Sequence, residues 1–556
     1  MRVIVIGAGF SGLYLSIRIP EWLRNVDLVT YEQNAGVGGT WFMNRYPGCA
    51  CDIPSHSYVY TFEPNPTWSK FYASSEEIQG YLEAVKDKYC AGRFIKLKHE
   101  VNGLHWDAES LKWKVDVKNL TTGETFIDEA DVVVGARGAF TRTLWPEIDG
   151  LWDFAGKIVH SGRWDETFDY SHKRIGVIGT GSSAIQIIPQ LQKLPETKLS
   201  CFIRSKTWIS TSFGDSAATK LGLQDNDIVK PQDRERFLTD SQAFYSFRKI
   251  IEDEGNAAHP FSLKDSPHSN AARKEFAALM RTRLAKKPEL AEFLMPSFAP
   301  GCRRLTPGPG FLEALTEDNV EPITTPIRKV TPSGVVLADG REVELDVLVC
   351  ATGFDAGGAP LYPVVGSQGL DLQKRYQDYP EAYLGMAVDG FPNLFLMLGA
   401  NSGVGSGSLT KIIESQGDYI IKCIRKLQKE DIGAMELSNR AMRDWVRHIE
   451  GYFQRTVFLD DCKSWYRKND RIIGLWPGST LHAIETMRAP RWEDFNFTYA
   501  DGSAEHNRLS WLGNGMTQND QTGLDRSWYI EPEYVDVPSA PLPEQTEKYL
   551  RVPFSH

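Results

Sequence analysis

The sequence predicts an α/β fold with two Rossmann-like dinucleotide-binding units and a helical insertion in the second unit. Two short apolar runs, RVIVI at 2–6 and KRIGVI at 173–178, each end in a glycine-rich turn that opens an apolar helix. This is the β-turn-α start of such a unit, and the two starts lie too far apart for a solenoid repeat. Residues 213–300 lack alternating strands and carry apolar residues at helical spacing, which indicates the insertion.

The two units are predicted to be interleaved along the 556 residues. The first unit is assigned residues 1–148 and 354–556, the second 149–212 and 301–353, and the insertion 213–300. The apolar positions at helical spacing in the insertion are Phe244, Phe247, Ile251, Phe276, Met280 and Leu284. A stripe of this kind is more often packed core than part of a ligand site.

The first glycine turn has the pattern of a dinucleotide fingerprint. It follows a predicted strand, and Glu32 ends the next strand, where a carboxylate can accept hydrogen bonds from a ribose hydroxyl. Glycines in the turn let the backbone approach a pyrophosphate at the helix N-terminus. The predicted contacts are Gly7, Gly9, Phe10, Ser11, Gly12 and Glu32.

The second glycine turn ends in residues of the opposite charge. The strand after it ends at Arg204, with Lys206 beside it, and a guanidinium can bind a 2′-phosphate that a carboxylate would repel. The first site therefore suits a free ribose diol, and the second suits NADPH. The predicted contacts are Gly179, Thr180, Gly181, Ser182, Ser183, Arg204 and Lys206.

Two dinucleotide sites on one chain predict FAD at the first and NADPH at the second, since flavins are reduced by hydride. A disulfide reductase of this layout would need a redox cysteine pair shortly after the first turn. The nearby candidates, Cys49 and Cys51, are separated by a single residue. That spacing argues against a disulfide reductase.

Two long motifs resemble those of type I Baeyer–Villiger monooxygenases. One is Phe154-x-Gly156-xxx-His160-xxx-Trp164-Asp165, just before the second turn, and the other is Gly38-Gly39-x-Trp41-xxxx-Tyr46-Pro47-Gly48-xxx-Asp52. The resemblance runs from about residue 1 to 490. The stretches GCRRLTPGPG at 301–310, PGCACDIPSHSY at 47–58 and LWPGSTLH at 475–482 resemble the fungal branch, which often acts on secondary metabolites.

The resemblance implies roles for further residues. Arg304 is implied as the catalytic arginine, Asp52 as the carboxylate that orients it, and Arg303 as an NADPH contact. Residues 351–355 resemble the hinge between the two domains, whereas Arg137 stands where the earlier hinge usually has threonine, which puts the hinge hydrogen bond there in doubt. The remaining implied cofactor contacts are Gly39, Thr40, Trp41, Asp52, Thr352, Gly353 and Asn401, the last on a loop placing a helix N-terminus at the flavin ring.

The resemblance implies an enzyme that consumes NADPH and O2 and inserts one oxygen atom next to a ketone carbonyl, through a peroxide at the flavin C4a. The product is an ester or lactone. Arg304 would stabilise the anionic steps, because an arginine does not give up its proton. The alternatives are a flavin-dependent hydroxylase or N/S-oxygenase of the flavin-containing monooxygenase type, and a flavin-binding scaffold without turnover.

Composition excludes several other classes. The net charge is −10, without a lysine- and arginine-rich stripe, so nucleic acid is not an expected partner. Runs of about 18 apolar residues are absent, so a membrane span is not expected. Eight cysteines without paired CxxC spacing predict neither a disulfide scaffold nor a zinc site. Without a signal peptide pattern, we expect a cytoplasmic protein, and the sequence leaves monomer or homodimer open.

Further predictions concern local features. Ser74 and Glu77 form a capping box for an amphipathic packing helix. His160 is interpreted as a structural or domain-coupling residue, because the chemistry needs no side-chain base. His56 and His482 are interpreted as polar residues with satisfied hydrogen bonds. The segment 464–482 is expected to wall the pocket, and the last ~60 residues to wrap the surface.

Overall fold

The structure, a computed structural model, describes residues 1–211, 213–222, 228–501 and 507–530. Predictions made for residues 212, 223–227, 502–506 and 531–556 lie outside the described residues.

The described residues form both strands and helices, in runs of several of one kind as well as in alternation. The strands are β1 Arg2–Ile6, β2 Asp27–Glu32, β3 Ile95–Leu97, β4 His99–Asp107, β5 Lys112–Asn119, β6 Thr125–Ala130, β7 Val132–Gly135, β8 Lys157–His160, β9 Arg174–Ile178, β10 Lys198–Phe202, β11 Val320–Ile323, β12 Ile327–Thr331, β13 Gly334–Leu337, β14 Glu342–Glu344, β15 Val347–Cys350, β16 Val364–Val365, β17 Leu394–Leu396, β18 Ile432–Leu437, β19 Arg467–Lys468, β20 Arg471–Ile472 and β21 Phe495–Tyr499. The helices are α1 Phe10–Trp22, α2 Thr40–Met43, α3 Ser75–Lys88, α4 Ser182–Gln192, α5 Asp215–Lys220, α6 Pro231–Thr239, α7 Ser241–Ala257, α8 Pro267–Arg283, α9 Pro288–Leu294, α10 Phe311–Ala314, α11 Leu372–Arg375, α12 Leu409–Lys429, α13 Asn439–Phe453, α14 Thr480–Thr486 and α15 Gln518–Thr522.

The first parallel sheet gathers strands from distant parts of the chain. Its order is β17-β7-β1-β2-β3, and all its neighbouring strands are parallel. The order reverses between β1 and β7, and ligands of such sheets bind outside the carboxyl ends of the strands at this switch point. Ile6 pairs with Gly135 there, so the first glycine turn begins at the switch point.

The second parallel sheet repeats this arrangement. Its order is β11-β10-β9-β15-β8, and β9 stands between β10 and β15 as β1 stands between β2 and β7. Ile178 pairs with Cys350 at the carboxyl end, so the second glycine turn also begins at a switch point. The predicted α/β fold with two Rossmann-like units is confirmed, while the residue boundaries assigned to the domains stay predictions.

Smaller sheets accompany the two parallel ones. A four-stranded sheet has the order β16-β4-β5-β6, a three-stranded antiparallel sheet the order β12-β13-β14, and two-stranded pairs are β18-β21 and β19-β20. These sheets were not predicted from the sequence. Between β14 and β15, which belong to different sheets, the Asp346 N–H donates to the Arg174 carbonyl at 2.8 Å.

The insertion is helical, as predicted. Helices α5 to α9 follow β10, and the six apolar residues that predicted them are all buried. Phe244, Phe247 and Ile251 pack with Phe237 and Phe71 in a separate apolar cluster. The aromatic stripe is therefore core, in agreement with its interpretation.

The capping box predicted at Ser74 and Glu77 forms only in part. Ser74 caps α3 by accepting from the Glu77 N–H, but the Glu77 carboxylate accepts from the Ser69 N–H and hydroxyl at 2.7 and 2.8 Å. Only half of the predicted capping box forms, because Ser69 offers the carboxylate two donors.

Near the end of the described residues, β21 pairs with β18, and the Lys429 ammonium lies 4.3 Å from the Trp511 ring. Within the described ranges, no helix combines the length and apolar character needed to cross a bilayer.

Candidate functional site

The first glycine turn is shaped by close backbone contacts. Gly7 has φ of 103°, and a Cβ there would lie 2.7 Å from the Ala136 carbonyl oxygen. A Cβ on Gly12 would lie 1.8 Å from the Gly7 carbonyl oxygen. Gly9 meets only ordinary contacts, the nearest at 3.6 Å. Gly7 and Gly12 are therefore required by the fold itself, and Gly9 leaves the backbone open to a ligand.

Glu32 closes the first turn from the end of β2. Its carboxylate accepts from the Ala8 N–H at 2.7 Å and from the Asn34 backbone and side-chain nitrogens at 2.8 and 2.7 Å. The residue is 5% exposed, yet it lines the large cavity described below. These bonds fix the carboxylate at the position where a ribose hydroxyl is expected.

The second glycine turn is built in the same way. Gly179 has φ of 131°, and a Cβ there would lie 2.4 Å from the Ala351 carbonyl oxygen. A Cβ added to Gly181 would meet no described atom within 4 Å. The protein itself therefore does not exclude a side chain at Gly181, and the open space there fits the close approach of a pyrophosphate.

The helices that follow the two turns begin without a side-chain cap. Gly9 and Gly181 are the N-cap residues of α1 and α4, and no acidic residue lies in either first turn. By contrast, serine side chains cap α3, α12 and α13. The first N–H groups of α1 and α4 are thus left for a ligand, and together with the helix dipole they attract anions. The residues present fit two dinucleotide pyrophosphates.

Both turns open onto one cavity of about 1400 Å³. The predicted site residues that line it are Gly7, Gly9, Phe10, Ser11, Glu32, Gly39, Thr40, Trp41, Asp52, Gly179, Thr180, Gly181, Ser182, Ser183, Arg204, Arg303, Arg304, Thr352 and Gly353. The expected wall from segment 464–482 is present, through Trp465, Tyr466, Ile473, Gly474 and Leu475. The start of α12, at Ser408 and Leu409, also lines the cavity.

Three predicted contacts do not line this cavity. Gly12 is enclosed by the backbone of the first turn. Lys206 is exposed and offers its backbone carbonyl to Arg303 at 2.9 Å. The Asn401 side chain is buried and donates to the carbonyls of Ile472 and Leu475 at 2.8 and 3.0 Å. Their assignment as cofactor contacts stays a prediction.

Arg304 and Asp52 form an ion pair on the cavity wall. The guanidinium donates to the carboxylate through Nε at 3.2 Å and Nη2 at 2.5 Å, and the two side chains are 30% and 18% exposed. Burial alone would lower the pKa of Arg304, but the Asp52 carboxylate raises it. The result is a permanent positive charge, held in one orientation, at the surface of the cavity.

The surroundings of this pair come from three parts of the chain. Ser182, in the first turn of α4, hydrogen-bonds Thr306 at 2.8 Å, which ties the Arg304 segment to the second glycine turn. Burial raises the pKa of the Tyr466 phenol, and the adjacent charge of Arg304 opposes that rise. Tyr466 was not predicted as a site residue, since nothing in its local sequence signals proximity to Arg304.

Arg204 and Arg303 form a second positive region. Arg204 is exposed and lines the cavity, and no carboxylate pairs with it among the described residues. Burial and the adjacent charge of Arg204 lower the pKa of Arg303. Two neighbouring cations repel each other unless an anion lies between them, so this region is suited to a phosphate.

Two linkers cross between the parallel sheets as a short antiparallel ribbon. The Leu144 N–H donates to the Gly353 carbonyl at 2.9 Å, and the Thr352 hydroxyl donates to the Leu144 carbonyl at 2.5 Å. His160 contacts the ribbon at Leu144. Its Nδ1 accepts from the Gly162 N–H at 3.0 Å, and its Nε2 lies 3.2 Å from the Leu144 carbonyl oxygen. Burial lowers the pKa of His160, so a neutral ring holds the linker, consistent with a domain-coupling residue.

Arg137, where the sequence departs from the family's hinge, hydrogen-bonds the other linker. It follows Ala136 as Thr352 follows Ala351, and its Nη2 donates to the carbonyls of Gly358 and Ala359 at 2.8 and 2.6 Å. Each linker thus donates a side-chain hydrogen bond to the other one, through Thr352 to Leu144 and through Arg137 to Gly358 and Ala359. The arginine side chain is longer than that of threonine and so reaches carbonyls further along the chain.

The other motif residues have structural roles. The Tyr46 hydroxyl donates to the Gln186 side chain at 2.8 Å, and Gln186 donates to the Ala50 carbonyl at 2.9 Å, so this motif packs on α4. His482 accepts from the Trp476 indole at 3.0 Å, as expected. His56 was expected to be satisfied as well, but neither ring nitrogen has a hydrogen-bond partner among the described residues, because three phenylalanines surround the ring.

The fold and the site together define an oxidoreductase with two dinucleotide sites on one cavity. A family model for an NAD(P)-binding Rossmann-like domain matches residues 5–75. The FAD-binding monooxygenase tazF of Aspergillus terreus is 37% identical over 522 residues, covering 93% of this chain and 91% of that protein. A Baeyer–Villiger monooxygenase of Pseudomonas aeruginosa is 33% identical over 489 residues, covering 86% and 88%.

Solved structures agree with these relatives. The cyclohexanone monooxygenase from Rhodococcus sp. Phi1 bound to NADP+ superposes with a TM-score of 0.76 at 27% identity, covering 89% of this chain and 98% of that one. An oxidized steroid monooxygenase bound to NADP superposes with a TM-score of 0.73 at 29% identity, covering 89% and 99%. The chain belongs to the Baeyer–Villiger monooxygenase family of FAD-binding monooxygenases.

Proposed function

We propose that this protein uses FAD, NADPH and O2 to insert one oxygen atom between a ketone carbonyl and a neighbouring carbon, which gives an ester or lactone. The observation that carries the proposal is the Arg304–Asp52 pair on the wall of a cavity shared by both glycine turns. A fixed cation at that place suits a reaction that builds negative charge on a carbonyl oxygen.

The two turns divide the cofactors by charge. FAD fits the first turn, where Glu32 offers a carboxylate to a ribose with free hydroxyls. NADPH fits the second turn, where Arg204 and Arg303 offer positive charge to its 2′-phosphate. The names of relatives that bind FAD or NADP support the same pair of cofactors.

Bound FAD, once reduced by NADPH, supplies the activation of dioxygen. The chain's own residues stabilise the negative charge that develops on the ketone oxygen. Arg304 keeps its proton, because Asp52 raises its pKa, and so presents N–H donors to the oxyanion that develops on the ketone oxygen. A preorganised donor of this kind contributes about 3 kcal/mol to lowering the barrier. Asp52 orients the guanidinium and takes no proton from the substrate.

The start of α12 supports the flavin side of the cavity. Ser408 caps the helix by accepting from the Lys411 N–H, and both Ser408 and Leu409 face the cavity. The positive end of the helix dipole favours negative charge on a bound ring system. This arrangement fits the expectation that a helix N-terminus stands at the flavin.

The substrate class we propose is a ketone among secondary metabolites, with support from the match to fungal monooxygenases. The cavity wall agrees with an apolar or aromatic substrate. Phe140 and Trp465 line it, are 38% and 41% exposed, and contact each other edge to face at 5.4 Å. Such half-exposed rings offer apolar area to a ligand.

The test is NADPH oxidation by the purified flavoprotein with a panel of cyclic, aromatic and long-chain ketones, with hydrogen peroxide measured in parallel. We expect a product one oxygen heavier that base hydrolyses to an acid and an alcohol. A product one oxygen heavier that resists base would indicate a hydroxylase or heteroatom oxygenase. A yellow protein that never consumes NADPH would indicate a scaffold without turnover.

A further inference from the structure

A covalent bond lies next to the proposed catalytic arginine. Cys302 and Cys462, separated by 160 residues, form a disulfide. Cys302 directly precedes Arg303 and Arg304, and Cys462 stands four residues before Tyr466, which lies against Arg304. The disulfide therefore joins the two segments that present Arg304 and Tyr466 to the cavity.

Among the described residues, few hydrogen bonds join these two segments directly. Between the two segments, the Ala299 N–H donates to the Asp460 carboxylate at 2.7 Å. Within the second segment, Arg467 donates to the Asp460 carbonyl at 3.0 Å. On the other side, Arg303 donates to the Lys206 carbonyl. Segments of this kind, without regular helix or strand, depend on individual contacts for their position.

The disulfide also spans the two predicted units. Cys302 lies in the range assigned to the second unit, and Cys462 lies in the range assigned to the first. If the units move relative to each other between cofactor reduction and oxygen insertion, this bond keeps the distance between the two segments fixed. Arg304 then stays beside Tyr466 while the cavity changes shape.

We propose that the Cys302–Cys462 disulfide is a positioning cross-link for Arg304, which keeps oxygen transfer coupled to NADPH consumption. This inference rests on the proposed function. Misplacing a catalytic group by about 1 Å can cost a hundredfold in rate, so loosening either segment would slow oxygen insertion while NADPH oxidation continues. The oxygen activated in the cavity would then leave as hydrogen peroxide.

Reduction would open the cross-link. A dithiol such as dithiothreitol donates two electrons and two protons, the S–S bond breaks to give two thiols, and the dithiol closes to its own cyclic disulfide. Cys302 and Cys462 are 0% and 4% exposed, so the reaction requires local opening and prolonged incubation. In a reducing cytoplasm, glutathione would favour the open form, and the redox state would set the degree of coupling.

Counting thiols tests whether the bond exists. The other six cysteines are free, so the denatured protein, kept without reductant, should react at six thiols. The variants Cys302→Ser and Cys462→Ser should each react at seven. The exposed Cys90 provides a matched control, because Cys90→Ser should react at five. These counts apply to protein first incubated with glutathione disulfide, and eight reactive thiols in the wild-type protein after that treatment would overturn the inference.

Measuring coupling tests the positioning role. We expect ester formed per NADPH to fall at least fivefold in the reduced holoenzyme, with a matching rise in hydrogen peroxide. Glutathione disulfide should restore the ratio as it accepts two electrons and reforms the bond. Cys90→Ser should respond as the wild type does. The double variant Cys302→Ser/Cys462→Ser should be poorly coupled and respond to neither reagent.

Three outcomes separate the possible failures. If full reduction leaves the ester-to-NADPH ratio unchanged, the positioning role is wrong, even if the melting temperature falls. If the double variant fails to fold, reduction and reoxidation of the wild-type protein still decide the question. If six thiols react but no ketone gives an ester under any condition, the cross-link stands and the proposed function fails.

Discussion

The Asp52 carboxylate accepts two hydrogen bonds from the Arg304 guanidinium, although the two residues are 252 positions apart in the sequence. Asp52 is the last residue of the motif that packs on α4, and Arg304 lies two residues after the disulfide cysteine Cys302. The pair therefore joins the two glycine-turn units at the cavity wall. Its geometry makes Asp52 a positioning residue for Arg304.

Asp52→Asn should uncouple the enzyme. The amide keeps the shape of the side chain but loses the charge that orients Arg304 and raises its pKa. NADPH oxidation should persist, while ester formed per NADPH falls by about tenfold to a hundredfold, because a misplaced donor stabilises the oxyanion less well. Product and hydrogen peroxide, measured together, check this. Asp52→Glu keeps the charge, so its yield of ester per NADPH should fall less. An Asp52→Asn enzyme with the wild-type yield would contradict the role of Asp52 in positioning Arg304.

Arg204→Gln should weaken NADPH binding selectively. Arg204 lines the cavity beside Arg303, so its loss removes a charged partner of the 2′-phosphate. The KM for NADPH should rise about tenfold, the value of one charge-assisted hydrogen bond. The KM for NADH should stay unchanged, because NADH lacks that phosphate.

Lys206→Gln is the matched control for Arg204→Gln. Lys206 was predicted as a contact of the same phosphate, but its side chain does not line the cavity, and its carbonyl binds Arg303. We expect little change in the KM for NADPH. An equal effect of both substitutions would indicate general electrostatic attraction rather than a contact by Arg204.

Arg137→Thr should loosen the second linker. The variant loses the two hydrogen bonds to the carbonyls of Gly358 and Ala359, which together contribute about 2 kcal/mol to local stability. Hydrogen–deuterium exchange in a peptide covering residues 354–362 should then become faster by roughly tenfold or more. Thr352→Val, which removes the opposite hinge bond to Leu144, should give a smaller effect. Unchanged exchange in Arg137→Thr would show that the contact does not hold the linker.

His56 should make the protein sensitive to acid. Burial lowers the pKa of His56 to about 3, so below pH ~6.5 the unfolded chain binds a proton that the folded chain excludes. Stability contributed by the neutral ring is complete above pH ~6.5 and falls by about 1.4 kcal/mol per unit as the pH decreases toward 3. Urea midpoints at pH 7.5 and 5.5 measure this loss.

His56→Leu should lose less stability than the wild type between these two pH values, by about 1 kcal/mol. The buried His160 and the half-buried His259 act in the same direction, so the comparison between variants isolates His56. Equal losses in wild type and His56→Leu would contradict a neutral, unpartnered ring.

The glycine turns and their helices could be located from sequence, because a strand, a glycine turn and an apolar helix form a local pattern. The charges of Glu32 and Arg204 could also be placed at strand ends. The partnership of Asp52 and Arg304 came only from the family resemblance, since no local pattern links residues so far apart. Asn401 and Lys206 were assigned to cofactors and do not line the cavity; the Asn401 side chain binds the Ile472 carbonyl, and the Lys206 carbonyl binds Arg303.

Other features left no local signal. Arg137 stood out as a departure from the family, but its acceptors are backbone carbonyls, which carry no side-chain information. The cross-link between Cys302 and Cys462 is one of many pairings that eight cysteines allow. Tyr466 reaches Arg304 only through the tertiary fold. In each case the contact depends on packing between distant segments.

The most direct measurement is product formation by Arg304→Ala in the presence of a ketone that the wild-type protein oxygenates. NADPH oxidation should continue, because the glycine turns remain intact, but no ester should form and hydrogen peroxide should account for the NADPH consumed. Arg304→Lys, which keeps a charge but loses the paired donors to Asp52, should retain partial ester formation. Ester formation by Arg304→Ala at the wild-type rate would contradict the central role of this arginine.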